Sequence, residues 1–277
     1  MTPQLLYCTQ TGDAQKPKIV FLHGGGSSSW MWKPVTALLP QYHCIAVDLP
    51  QHGKSKDIGP FSMPYAAEKV AELVDYLSPN QPVHLVGLSE GAQVAVQMLA
   101  SHPRVLRSAF ISSALLLPVP GAGIFASEWV ARWSYRLAMK PFKNWDYWIR
   151  LNMKYAAGVP EQYYAQFKQD FQNTTEDGFI NLMVANQRFR LPEGLEKIQV
   201  PAFIVCGHKE YRAMQDSAKL LKQALPNASQ ITLNLGKDAS LAEEHNWALT
   251  HPQLFAGMLG SWVERNSLPP DTQRQAL

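Results

Sequence analysis

The sequence contains few cysteines, three in 277 residues. Cys8, Cys44 and Cys206 are far apart along the chain and lie mostly in apolar runs. An odd number of widely spaced cysteines argues against a disulfide framework, and their spacing is not that of a metal site. We therefore expect buried thiols in a reducing compartment.

The sequence also has only a small excess of positive over negative charge and no long apolar run. The net charge is +3 and no cluster of lysine and arginine is present, which argues against a nucleic-acid partner. No apolar run approaches the ~20 residues of a membrane-spanning helix, so we expect no stable membrane insertion. Residues 1–7 lack the basic and apolar regions of a signal peptide. These features predict a cytoplasmic protein and leave its oligomeric state open.

The composition that remains is typical of a globular protein, with 46% hydrophobic and 17% charged residues. The length permits one large α/β domain with an insertion. Short apolar runs predict buried strands at residues 17–22, 43–47, 82–86, 107–115, 200–207 and 230–235. Residues 5–11 fit an edge strand. Helical patterns lie between the runs, at residues 32–39, 65–77, 92–100, 213–225 and 252–264.

The segment Gly87-Leu88-Ser89-Glu90-Gly91 joins a predicted strand to a predicted helix. Only a sharp turn fits there, and glycine is needed on either side because side chains would collide with the neighbouring elements. Such a turn lifts the Ser89 hydroxyl clear of the sheet, at the N-terminal end of a helix. Ser89 is therefore a candidate nucleophile. The alternative is that Ser89 merely caps the helix.

Three consecutive glycines, Gly24, Gly25 and Gly26, follow the predicted strand at residues 17–22. They free the backbone to present N–H groups inward, as an oxyanion hole requires. A flexible loop is the alternative interpretation. A phosphate loop would need a Lys-Ser/Thr ending, which is absent here.

A third turn, Asp48-Leu49-Pro50-Gln51-His52-Gly53-Lys54-Ser55, follows the strand at residues 43–47. A His-Gly turn, an Asp-x-x-x-x-Gly-x-Ser turn and a Gly-x-Ser-x-Gly turn, each after a strand and in this order, resemble the α/β-hydrolase family. The resemblance is strongest at residues 17–116 and 198–264. It implies an α/β-hydrolase fold with a mostly parallel central sheet of about eight strands flanked by helices. It also implies that Asp48 and His52 are structural.

The strand pattern stops over residues 117–197, which hold four of the eight tryptophans, Trp129, Trp133, Trp145 and Trp148. By the resemblance, this segment is a helical cap inserted into a hydrolase core formed by residues 1–116 and 198–277. Basic residues among the tryptophans also fit an interfacial membrane helix, although a lid over a pocket is the commoner arrangement. Residues 121–126 match a dinucleotide-binding loop, but two prolines interrupt the strand that such a loop needs.

A serine nucleophile needs a histidine to remove its proton and a carboxylate to orient that histidine. The family supplies these in chain order serine, acid, histidine, and Ser89, Glu210 and His245 satisfy this order. His245 lies seven residues before Pro252, a spacing that is common in the family, but Glu244 replaces the usual glycine. The loop before His245 is also longer than usual.

The acid is the most open of these assignments. Glu210 stands three residues after the glycine that ends its strand, where the family usually has aspartate. Asp216 and Asp238 remain alternatives. The oxyanion hole would take one N–H from Glu90 and the other from Gly25, with Gly26 the next choice.

The resemblance implies hydrolysis of an ester-like bond in a small, apolar or aromatic substrate, through an acyl-enzyme on Ser89 with His245 as the general base and without a metal or cofactor. Carboxylesterase, lactonase, C–C bond hydrolase and iminopeptidase reactions all fit these residues. A non-hydrolytic receptor or regulatory protein for a small ligand is the alternative from another class.

Overall fold

The computed structural model describes residues 4–265, so three residues at the start and twelve at the end of the predicted hydrolase core lie outside the described part. Within it, seven strands form one sheet in the order β1-β3-β2-β4-β5-β6-β7. The strands are β1 (Cys8–Thr11), β2 (Lys18–Leu22), β3 (His43–Val47), β4 (Val83–Leu88), β5 (Leu106–Ser112), β6 (Ala202–Gly207) and β7 (Ala228–Leu233). β1 pairs antiparallel with β3. All other neighbouring strands are parallel.

Helices cover both faces of the sheet. The α-helices are α1 (Lys33–Thr36), α2 (Met63–Leu77), α3 (Glu90–Ser101), α4 (Glu128–Ser134), α5 (Asp146–Leu151), α6 (Tyr164–Asn173), α7 (Glu176–Arg188), α8 (Arg212–Ala224), α9 (Leu241–His245), α10 (Trp247–Thr250) and α11 (Pro252–Arg265). Between residues 4 and 265, no helix is both long enough and apolar enough to cross a membrane. The predicted mostly parallel sheet flanked by helices is confirmed, with seven described strands in place of about eight.

Successive side chains of β2 point to opposite faces of the sheet and join two hydrophobic cores, one on each face. Val20 and Leu22 pack on one face of the sheet together with residues of α2, α3 and α8. Ile19 and Phe21 point to the other face, where they join residues of α1, α10 and α11. Each fully buried large side chain contributes about 1.5–3 kcal/mol through removal of apolar surface from water. A parallel sheet covered on both faces therefore needs the near-continuous apolar runs that the sequence shows.

Residues 113–201, between β5 and β6, form a helical insertion that contains α4 to α7. Two π-helical turns, Tyr135–Met139 and Asn152–Ala156, continue α4 and α5. Arg132 and Arg136 both pair with Glu176 at the start of α7, at 2.9 and 2.8 Å. These ion pairs therefore link α4 and the π-helical turn that follows it to the start of α7.

Asp170 of α6 connects the insertion to the core of the protein. Its Oδ2 accepts hydrogen bonds from Ser28 Oγ at 2.8 Å and from Trp30 Nε1 at 2.6 Å. Burial raises the pKa of Asp170 to about 6, although these two hydrogen bonds oppose the shift. The carboxyl group is therefore held where its ionised form is disfavoured.

We expect Asp170→Asn to stabilise the protein at neutral pH. Because the folded-state pKa is raised, the stability associated with Asp170 is fully present below pH ~3.8 and is lost as the pH rises to about 6. The loss amounts to at most about 3 kcal/mol, since one pKa unit corresponds to about 1.4 kcal/mol. Asparagine remains neutral and can accept the same hydrogen bonds. Urea unfolding at pH 4.5 and pH 7.5 should show a larger gain in the free energy of unfolding for the variant at the higher pH.

Asp216→Asn provides the control for this prediction. Asp216 lies on the exposed side of α8, and its hydrogen bond with Lys219 lowers its pKa. Its replacement should not stabilise the protein at pH 7.5. Equal effects of Asp170→Asn at both pH values would show that the Asp170 carboxyl group is not disfavoured in its ionised form.

Candidate active site

Ser89 lies in a strained turn between β4 and α3. Its φ of 56° and ψ of −114° are unusual for a residue with a side chain, and such strain is concentrated at functional sites. A Cβ atom on Gly87 would lie 2.3 Å from the Gly91 carbonyl oxygen, and one on Gly91 would lie 2.2 Å from the Leu22 carbonyl oxygen. Both glycines are thus required by close backbone approach, as the sequence predicted.

His245 lies next to Glu210 in the structure. The Nδ1 atom of His245, the last residue of α9, is 2.6 Å from Glu210 Oε1. Glu210 follows β6 and is buried. Its Oε2 accepts hydrogen bonds from the Gly207 N–H at 3.0 Å and from the Cys206 thiol at 2.8 Å. The alternative acid Asp216 is engaged elsewhere, with Lys219.

The environment of Glu210 favours its ionised form. Burial by itself would raise the pKa of this carboxyl group. The hydrogen bond and charge of His245, together with the Cys206 hydrogen bond, outweigh burial and lower the pKa below its ordinary value. A carboxylate at this position accepts from His245 Nδ1–H and leaves Nε2 as the free basic nitrogen.

Ser89 and His245 line the same cavity, which has a volume of 380 Å³. Within residues 4–265, the two side chains share no hydrogen bond in this structure, while the Glu210–His245 bond is formed. Catalytic hydrogen bonds are often long before substrate binds. The cavity therefore holds Ser89 and His245 together, and His245 already contacts Glu210.

The Glu244 side chain connects the segment after β6, which carries Glu210, to the segment after β7. Its Oε2 accepts a hydrogen bond from the Lys209 N–H at 2.6 Å, and its Oε1 accepts one from the Leu235 N–H at 3.2 Å. The side chain is fully buried. In the sequence, Glu244 stood out only as a departure from the family's usual glycine. Its hydrogen bonds to the two backbone segments were not predicted.

The segment before His245 also differs from the long loop that the sequence predicted. Ser240 caps α9 in a capping box, because Ser240 Oγ accepts from the Glu243 N–H while the Glu243 side chain accepts from the Ser240 N–H. The Ser-x-x-Glu pattern that signals such a box was present in the sequence. His245 therefore lies on a helix end and not in an extended loop.

The loop formed by Gly24, Gly25 and Gly26 faces the turn that carries Ser89. In the described part of the chain, neither the Gly25 N–H nor the Glu90 N–H donates a hydrogen bond to another protein group. The Gly26 N–H, in contrast, points to His52 Nε2 at 3.4 Å. Gly25 is thus better placed than Gly26 as the partner of Glu90 in an oxyanion hole.

Two buried histidines, His23 and His52, contact the backbone of the glycine loop. His23 Nδ1 lies 2.8 Å from the Gly24 carbonyl oxygen, and its Nε2 accepts from the Leu49 N–H at 3.0 Å. His52 Nδ1 lies 2.9 Å from the Pro50 carbonyl oxygen, which leaves Nε2 to accept from Gly26. Burial lowers the pKa of His23 to about 4 and that of His52 to about 3, so both rings are neutral near pH 7.

Asp48 connects the segment after the glycine loop to the turn that contains His52. Its carboxylate accepts hydrogen bonds from the Ser29 N–H at 2.7 Å and from the Lys54 N–H at 2.8 Å. Asp48 and His52 thus both make contacts that shape the backbone, in line with the structural role that the resemblance implies. Neither side chain lines the cavity.

The helical insertion supplies much of the cavity wall. Side chains of α6 and α7 that line it include Phe167, Phe171, Phe179, Leu182 and Met183. Its polar lining residues include three asparagines, Asn152, Asn186 and Asn246. No lysine, arginine, aspartate or glutamate side chain lines this cavity among the described residues. Over the same residues, no group of three or more histidines, cysteines and acidic residues could hold a metal ion.

The chain is similar in sequence to known hydrolases. An AB hydrolase superfamily protein of Gibberella zeae is 26% identical over 263 residues, which cover 91% of this chain and 81% of that protein. A pimeloyl-[acyl-carrier protein] methyl ester esterase of Yersinia pseudotuberculosis is 25% identical over 264 residues, which cover 90% and 93% of the two chains.

Solved structures show the same fold. A thermophilic esterase from Thermogutta terrifontis has a TM-score of 0.73 at 17% identity, over 94% of this chain and 93% of that chain. The model of the Alpha/beta hydrolase family matches residues 19–258, which is most of the chain. This protein therefore belongs to the Alpha/beta hydrolase family.

Proposed function

We propose that the protein is a serine hydrolase that cleaves an ester-like bond of a small, apolar substrate through an acyl-enzyme on Ser89. The observation that carries this proposal is the 2.6 Å contact between His245 and Glu210 at the cavity that Ser89 also lines. Esterase names among the relatives, including the Yersinia enzyme and the Thermogutta esterase, support ester-like chemistry.

The proposed reaction uses Ser89, His245 and two backbone N–H groups. His245 Nε2 accepts the Ser89 hydroxyl proton while Oγ attacks the substrate carbonyl carbon, and the carbonyl oxygen becomes an oxyanion. The N–H groups of Gly25 and Glu90 bind that oxyanion and so lower the barrier. His245 then gives its proton to the leaving alcohol, and the acyl group stays on Ser89. A water molecule, deprotonated by His245, releases the acid and restores the serine.

The cavity suggests what the acyl group is. Its apolar walls and its volume of 380 Å³ suit a neutral acyl group of small to medium size. An iminopeptidase must bind the ammonium group of its substrate, and such a charge needs a carboxylate nearby when it is buried. No carboxylate lines the cavity in the described residues, which disfavours that alternative.

A second groove, of 1060 Å³, runs along the other side of His245. It lies between the insertion, near Tyr155, and the α9 region, near Ala242. We assign this larger groove to the leaving group, because His245 must reach the leaving oxygen to protonate it. The enzyme would then be more selective for the acyl group than for the alcohol.

We assign the helical insertion, residues 117–197, as a cap over a core of residues 1–116 and 198–277. The side chains of α6 and α7 that wall the cavity support this division. A cap that contributes most of the apolar wall would determine substrate choice, whereas the core would supply the reacting groups.

A panel of p-nitrophenyl esters tests the proposed function. We expect turnover of the acetate, butyrate and hexanoate esters, and at least tenfold lower kcat/KM for the mono-p-nitrophenyl ester of succinate, because the apolar cavity cannot pair its carboxylate. Ser89→Ala gives the background rate. No turnover of any ester or lactone, combined with a small ligand that raises the Tm, would instead support a receptor.

A further inference from the structure

The Glu90 side chain has no part in the mechanism above, which uses only its backbone N–H. The side chain is fully buried, and neither carboxyl oxygen has a hydrogen-bond partner among the described residues. An unpartnered buried carboxyl group reduces stability. Local features that reduce stability in this way are expected at functional sites.

The Glu90 carboxyl group packs directly against the glycine loop. A Cβ atom built on Gly25 would lie 3.2 Å from Glu90 Oε2 on one side and 3.1 Å from Leu182 Cδ1 on the other. Glu90 Oε2 is also 3.6 Å from His52 Nε2, the atom that accepts from the Gly26 N–H. Glu90 thus contacts the loop both directly and through His52.

The contact between Glu90 and His52 joins two uncharged groups and is not an ion pair. Burial raises the pKa of Glu90 well above its ordinary value. Burial lowers the pKa of His52 to about 3, with His23 lowering it further and Asp48 opposing the shift. The ionisable groups that act on the His52 ring are His23, whose ring lies 4.9 Å away, and Asp48.

We propose, on the basis of the ester hydrolase function above, that the uncharged Glu90 side chain is a positioning residue for the oxyanion hole. It supports the Gly25 backbone against the insertion, so that the Gly25 N–H stays directed at the substrate oxygen. It must be uncharged, because a carboxylate beside the hole would repel the negative charge that develops there. Ionisation of Glu90 at alkaline pH should therefore lower kcat.

Two substitutions separate support from charge. Glu90→Gln keeps the shape of the side chain and cannot ionise, whereas Glu90→Ala removes the support. With p-nitrophenyl butyrate between pH 6 and pH 10, we expect Glu90→Ala to lower kcat at least tenfold while KM changes less than threefold, since the lost interaction acts in the transition state. Glu90→Gln should recover most of that loss and should lack the alkaline fall in kcat that the wild type shows.

Two measurements do not depend on ester turnover. The infrared spectrum of the wild type at pH 7 should contain the carbonyl stretch of a protonated carboxyl group, and Glu90→Gln should remove it. At pH 7 the free energy of unfolding should not fall in Glu90→Gln, because the side chain keeps its shape and no longer carries a carboxyl group whose pKa burial raises. Glu90→Ala leaves a cavity and should lower the free energy of unfolding, so its loss of kcat is compared with that of Glu90→Gln on folded protein.

The outcomes distinguish this inference from the proposed function. Equal kcat values for Glu90→Ala and Glu90→Gln, or the same alkaline fall in the wild type and in Glu90→Gln, would overturn the inference. So would the absence of the infrared band. Lack of any ester turnover by the wild type, with the band present, would overturn the proposed function while leaving Glu90 as a buried neutral group.

Discussion

Replacing Ser89 with alanine is expected to lower kcat for p-nitrophenyl butyrate by about 10⁴-fold or more, because no acyl-enzyme can then form. The fold should survive. Ser89 makes its backbone hydrogen bond to the Ser112 carbonyl oxygen at 2.9 Å, and the substitution leaves that bond in place. Steady-state kinetics together with urea unfolding measure both effects on the same preparation.

Ser101→Ala is the matched control, since Ser101 lies on the same helix at its exposed end. This variant should show wild-type kinetics. Turnover by Ser89→Ala within tenfold of the wild type would mean that another group is the nucleophile or that water attacks the substrate directly.

Replacing Glu210 with glutamine is expected to lower kcat by about 10³- to 10⁴-fold. Glutamine has no negative charge to stabilise protonated His245, and its amide can favour the wrong tautomer of the ring. The hydrogen bond that Glu210 Oε2 accepts from the Gly207 N–H can still form with an amide oxygen. The folded structure should therefore persist while the chemistry fails, which kcat and thermal unfolding together would show.

Glu244→Gln separates the acid from its neighbour in sequence. Both carboxyl groups are buried, but Glu244 bonds to the Lys209 and Leu235 backbone and not to His245. Its replacement should reduce stability more than Glu210→Gln does and should reduce kcat at least tenfold less. The reverse order of effects on kcat would move the catalytic acid away from Glu210.

Local patterns in the sequence were enough to predict the sheet and the position of Ser89. Buried parallel strands require continuous apolar runs, so β2, β3, β4 and β6 could be recognised from such runs in the sequence. The turn at Ser89 could be recognised because two backbone contacts exclude any side chain at Gly87 and Gly91. The edge strand β1 is shorter than predicted, since it pairs only over Cys8–Thr11.

The parts of the site that depend on distant contacts were not predictable in the same way. Glu244 stands in a polar segment of the sequence, yet it is fully buried because segments that follow β6 and β7 meet around it. Asp170 is 140 residues away from Trp30 in sequence but forms a hydrogen bond with it. No local pattern reports such pairs, because the spatial arrangement of the insertion on the core decides them.

The proposed function depends above all on a covalent bond between Ser89 and the substrate. The most direct test is mass spectrometry of peptides from protein treated with a fluorophosphonate, with Ser89→Ala and Glu210→Gln treated in parallel. We expect one adduct, on the peptide that contains Ser89. It should form rapidly in the wild type, slowly in Glu210→Gln and not at all in Ser89→Ala. An adduct on a different serine, or none in wild-type protein that is folded and hydrolyses esters, would contradict the proposed function.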